Sequence, residues 1–169
     1  RLNEARFGRP DAVHVRRDGL VTSVDRASSW RRSIYVKQRR KDVPSMLATF
    51  DLPAMNPNCI DRPESTVASQ ALHLMNNAMI DKLATQFAKR VSNEVGWEEA
   101  AQVRHIYLIA FSRLPEKGEV ELGRRALKKL QEIWTSELAN ADSKADHEAQ
   151  QRALATYCHT MLNAAEFLY

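Results

Sequence analysis

The sequence predicts a mixed α+β chain dominated by helix, on three observations. Apolar residues recur at helical spacing from residue 65 onward, β-branched residues flank an Asp-Gly pair near the N-terminus, and four prolines between Pro44 and Pro63 separate the two patterns. The expected architecture is a bundle of four or five helices with an N-terminal β-hairpin and strand. At 169 residues and 44% hydrophobic content the chain is long enough for one domain with a proper core. Within that domain we distinguish a basic hairpin and strand part (1–43), a proline-rich connector (44–64) and a helical part (65–169).

In the first part, Val13-His14-Val15 and Leu20-Val21-Thr22 flank Asp18-Gly19, a pair suited to the positive backbone angles of a tight hairpin turn. A further strand is expected over Ser33 to Gln38, where Ile34, Tyr35 and Val36 supply β-branched and aromatic side chains. In the connector the prolines prevent a long helix, but Ser45 to Phe50 suits a turn or two. Its Met46, Leu47, Phe50, Leu52 and Met55 are apolar enough to pack, so the connector reads as ordered.

The first helical stripe opens on Ser65 and Thr66 as cap candidates and runs through Val67, Ala71, Leu74 and Met75 to a break at Asn76-Asn77. A second passes through Ile80, Leu83, Ala84, Phe87, Ala88 and Val91 and stops at Gly96. The third, Val103, Ile106, Tyr107, Ala110, Phe111 and Leu114, starts behind Glu98 and Glu99, placed to suit a helix N-terminus, and stops at Pro115. A fourth helix from about Glu116 to Leu138 should bury Leu127, Leu130 and Trp134 and expose Arg124, Arg125, Lys128 and Lys129. After a polar loop from Asn140 to Asp146, the fifth stripe runs through Leu154, Tyr157, Cys158, Met161, Leu162 and Ala165. Each stripe must be buried, and short connections favour antiparallel neighbours.

Charge is distributed unevenly. Residues 1–43 hold 12 Lys and Arg against 5 Asp and Glu, a net +7, while the remainder holds 13 against 16, a net −3. A block of this kind suits phosphates, acidic sugars or an acidic protein surface. No apolar stretch approaches the roughly 18 residues that span a bilayer, so membrane insertion is not expected. The chain starts at Arg1 and not at a methionine, so any export signal is expected upstream of it. Cys59 and Cys158 lie far apart; two buried thiols are the simplest reading, with a disulfide left open.

Tests for chemistry come back weak. The five glycines do not cluster into a phosphate-binding loop, no HExxH or paired CxxC spacing occurs, and Cys158-His159 is not part of a haem-attachment motif. No cofactor and no metal ligand set is expected, and the balance leans away from an enzyme. His73, His105 and His159 read as structural or surface histidines. Asp51, following Phe50 in the connector, reads first as a turn residue. Glu166, beside the apolar C-terminal residues, is expected to pair with a buried or half-buried arginine. The basic run Arg31, Arg32, Arg39, Arg40 and Lys41, interleaved with Trp30 and Tyr35, resembles a nucleic-acid surface. Strand alternation splits it between two faces, however, and charged edge strands also guard against aggregation.

Several of these residues in series resemble one family. Arg31-Arg32-Ser33-Ile34-Tyr35, Gln38-Arg39-Arg40, Phe50-Asp51, Asn56-Pro57-Asn58-Cys59, Arg62, Ser65-Thr66, Gln70-Ala71-Leu72 and Asn76 are similar to the C-terminal domain of unknown function (DUF1553) of large planctomycete-type secreted proteins. Arg104, Tyr107, Arg113-Leu114-Pro115, Leu162-Asn163 and Glu166-Phe167 follow in the family's order. Two places depart from the pattern. Asn76-Asn77-Ala78-Met79 stands where the family has a proline and an aromatic, and Glu116-Lys117-Gly118 replaces a Pro-Thr-type helix start. The resemblance implies an extracytoplasmic location at the C-terminal end of a multidomain protein that often carries a cytochrome-c-like haem module. It supplies no catalytic residues.

The leading expectation is therefore a non-catalytic docking or assembly module. Its partners would be upstream domains of the same polypeptide, a haem-bearing one among them, and Arg31, Arg32, Arg39 and Arg40 would lie in the interface. The alternative is binding or processing of an acidic polysaccharide, with Asp51, Arg62 and Gln70 near a cleft between the connector and the first helix. Nucleic-acid binding ranks third.

Overall fold

The computed structural model describes residues 13–24, 33, 42–52, 68–138 and 145–168. They form a two-stranded antiparallel hairpin and seven helices, an α+β arrangement dominated by helix. The chain divides between His73 and Leu74 into two compact units.

In the N-terminal unit, β1 (Val13–Val15) pairs with β2 (Val21–Ser23) in the register Val13↔Ser23, His14↔Thr22 and Val15↔Val21. The turn is longer than the two-residue form suggested by Asp18-Gly19. Gly19 alone of the pair has a positive φ, of 83°. Its N–H donates to the Arg16 carbonyl at 3.0 Å, and the Arg16 N–H donates to the Leu20 carbonyl at 2.9 Å. This is a three-residue loop closed by a glycine bulge, and the Asp18 side chain supports it by accepting from the Leu20 N–H at 3.1 Å. The strand expected over Ser33 to Gln38 falls outside the described residues apart from Ser33, which has 3-10 and not extended geometry.

The helix expected in the connector is α1 (Ser45–Thr49). The Ser45 hydroxyl accepts from the Val21 N–H at 2.9 Å, which fastens α1 to β2. The end of α1 is a Schellman turn: the Leu52 N–H reaches the Leu47 carbonyl at 3.0 Å, the Asp51 N–H reaches that of Ala48 at 3.3 Å, and Asp51 takes the left-handed conformation with φ 56°. Aspartate is among the few side chains that visit this region readily, so the turn role expected of Asp51 has a geometric basis. In α2 (Ala68–Asn76) the buried edge is Gln70 and Leu74, whereas Ala71 and Met75 of the expected stripe face solvent and Val67 lies outside the described residues. Only a narrow i, i+4 edge of this short helix is covered.

The C-terminal unit is a helical bundle. Asn77 separates α2 from α3 (Ala78–Val95) and caps α3, its side chain accepting from the Met79 N–H at 2.8 Å. The break expected at Asn76-Asn77 is therefore also the start of the next helix. Ile80, Ala84, Ala88 and Val91 are buried, while Leu83 lies at the solvent edge, and Gly96 closes α3 with φ 73°. Helix α4 (Glu99–Phe111) is capped by Glu98, which accepts from the N–H groups of Ala100 and Ala101. It ends before the expected Leu114. Pro115 disfavours helical geometry at Leu114, and Ser112 reverses the chain in the left-handed region (φ 57°, ψ 24°), leaving Leu114 69% exposed.

Helix α5 (Lys117–Leu138) buries Gly123 and Leu127, half-buries Leu130 and Trp134, and exposes Arg124, Arg125, Lys128 and Lys129. Helix α6 (Ala145–Leu162) contributes Ala149, Ala153, Leu154, Tyr157, Cys158 and Met161 to the core. It stops at Leu162 and does not reach Ala165, because Asn163 turns its side chain onto the His159 carbonyl at 2.7 Å, and a short α7 (Ala165–Leu168) follows. Helices α3, α4, α5 and α6 form a ring of neighbours in which α4 and α6 also touch across the middle, and α7 touches α4 and α6. Ile106, Leu154, Val91, Val103 and Cys158 are the largest of its fully buried side chains.

Close approach inside the ring depends on Gly123. A Cβ there would lie 2.7 Å from the Tyr157 hydroxyl and 2.7 Å from a Val103 methyl. Gly123→Ala gains about 1 kcal/mol of helix propensity but forces α4 and α6 away from α5. The expected net result is destabilisation by about 1–2 kcal/mol, measured by urea unfolding; an unchanged or raised midpoint contradicts this account.

Candidate functional site

The densest polar constellation among the described residues lies where α4, α5 and α7 meet. Arg113 stands in the turn after α4. Its guanidinium grips Glu119 through Nη1 and Nη2, both at 2.8 Å, and Glu166 through Nε at 2.6 Å and Nη2 at 3.0 Å. A further Nη1–H donates to the Leu114 carbonyl at 3.3 Å. Five bonds thus commit the five N–H groups that an arginine possesses. The guanidinium also lies 5.2 Å from the Tyr107 ring centroid and 6.0 Å from that of Phe111. The pairing expected for Glu166 is present, with Arg113 as its partner.

Glu119 also serves the helix it belongs to. Its carboxylate accepts from the Glu116 N–H at 2.7 Å and so satisfies an orphan donor at the start of α5. Hydrogen bonds from Arg113, then from the Glu116 backbone, hold the Glu119 carboxyl at a pKa of about 2. Arg113 likewise holds Glu166 below the usual carboxylate range, and the two carboxylates raise Arg113 further. Both acids are ionised at neutral pH and the cation is saturated. The cluster has no proton to exchange and no free donor for an anionic ligand; its chemistry is that of a fastener.

Two smaller clusters act alike. Glu94 accepts from Arg90 Nε at 2.8 Å and pairs through its other oxygen with His105 Nε2, joining α3 to α4. The Arg90 hydrogen bond, followed by that of His105, depresses the Glu94 carboxyl. The Trp134 indole N–H donates to the Thr156 hydroxyl at 3.2 Å while Arg152 lies 5.2 Å over the indole, joining α5 to α6. His159 donates through Nε2 to the Leu74 carbonyl at 3.2 Å, a structural role of the kind expected for it. Cys158 is a free thiol, completely buried, and burial pushes its pKa up to about 12. No group of three or more His, Cys, Asp or Glu among the described residues has metal-holding geometry.

Of the interaction residues expected from sequence, Arg31, Arg32, Arg39, Arg40 and Arg62 lie outside the described residues. Asp51 and Gln70 converge at the end of α1. Gln70 is 3% exposed and its Nε2 donates to the Thr49 carbonyl at 3.0 Å, two residues before Asp51. The hairpin turn exposes Arg16 and Arg17 beside an open depression of about 480 Å³ lined by His14 to Asp18. Sequence reasoning met Arg113 only as a landmark of the family resemblance and passed over Glu119 and Gly123. The usable signals were a glutamate three residues into a helix start, and a lone glycine within a strongly helical pattern.

These features define a predominantly helical domain whose described polar clusters hold the bundle together. The chain belongs to the family described as PSD1, protein of unknown function (DUF1553), whose model matches residues 2–127. No curated protein and no solved structure matches the chain. The matched residues take in Arg113, Glu119 and Gly123, while Glu166 lies beyond them.

Two measurements test the cluster and the thiol. Because the folded-state carboxyls titrate below their ordinary range, their contribution is complete above about pH 4.5 and is lost as the pH falls towards 2. The melting temperature of the wild type should therefore drop over this interval, and that of Arg113→Met, already lower at pH 7, should fall less steeply; parallel curves would remove the cluster from the pH dependence. In the Cys59→Ser variant, Cys158 should resist alkylation in buffer and react fully in denaturant, and rapid labelling of the native chain would show that the core is open.

Proposed function

We propose that this chain is a non-catalytic docking and assembly module, acting outside the cytoplasm within a larger polypeptide and binding an acidic surface of that polypeptide's upstream domains through its basic N-terminal part. The observation that carries this reading is the segregation of charge, +7 over residues 1–43 against −3 over the remainder. Attraction between such a block and an acidic surface accelerates and orients association. The exposed Arg17 of the hairpin extends the same field into the described residues, Arg16 being paired with Asp18 at 3.0 Å. The extracytoplasmic setting and a haem-bearing neighbour follow from the resemblance to planctomycete-type proteins and share its standing as proposals. No helix of the described residues is long and apolar enough to cross a membrane.

One second reading stands beside it, an acidic-polysaccharide site near Asp51 that Arg62 would complete, with Gln70 holding the end of α1 through the Thr49 carbonyl. Calorimetry separates the two. Titrating the chain with the upstream region of its parent should give saturable, salt-sensitive binding that weakens at least about tenfold in the quadruple variant Arg31→Ala, Arg32→Ala, Arg39→Ala and Arg40→Ala. Undiminished binding by that variant removes the docking reading. Binding to an acidic glycan that Arg62→Ala abolishes puts the second reading in its place.

A further inference from the structure

We draw no further inference here: the strongest candidate, the apolar surface at the C-terminal end of α4 where Leu108 and Leu114 are exposed, carries none because nothing in the structure shows what covers it.

Discussion

Three helices of the bundle converge on one backbone position, Gly123, where α5 carries no side chain. Val103 of α4 and Tyr157 of α6 occupy the volume a Cβ would need. The same economy recurs between α3 and α6, which contact each other extensively and present the fully buried alanines Ala84, Ala88, Ala149 and Ala153. Small residues bring helix axes close, and larger ones such as Ile106 and Leu154 fill the interior between them; each fully buried aliphatic side chain of that size contributes on the order of 2 kcal/mol. Tyr157 shows the cost of such packing, since burial raises the pKa of its phenol.

Charged groups hold the places that apolar packing leaves unsecured. A turn that leaves α4 through a left-handed serine, an exposed α5 N-terminus and a four-residue α7 are weak local structures. Arg113 ties them together with every donor it has, stacked above Tyr107 and Phe111. Glu166 enters this arrangement from beyond the stretch that the family model matches, so residues inside and outside the match belong to one folded corner. Glu94 with His105, and Trp134 with Thr156 and Arg152, play the same part along other helix pairs. Carboxylates held ionised by arginine and a thiol held neutral by burial are poor acids, bases and nucleophiles at neutral pH. This is why interaction surfaces, and not chemistry, draw the functional reading.

The N-terminal part concentrates positive charge over a hairpin and its flanking residues. Such a block is matched by an acidic surface in general, because charge attracts and orients a partner without fixing a register.

What the sequence determined by itself was local: the hairpin around Gly19, the break at Asn76-Asn77, the helix start behind Glu98, the stop at Gly96, and the buried stripes of α3, α4 and α6. Backbone geometry and residue spacing decide such features within a few neighbours. The pairing of Glu166 with an arginine was legible as a need, since a carboxylate beside apolar residues requires a cation, but not as a partner. Tertiary structure alone decided that the partner is Arg113, 53 residues away. It decided that Gly123 is a contact and not a weakness, that Gln70 is spent on the carbonyl of Thr49, and that Met75 and Leu114 face water despite their apolar side chains. Those outcomes depend on which segments come to lie side by side, and a periodic pattern specifies that a face must be covered without specifying by what.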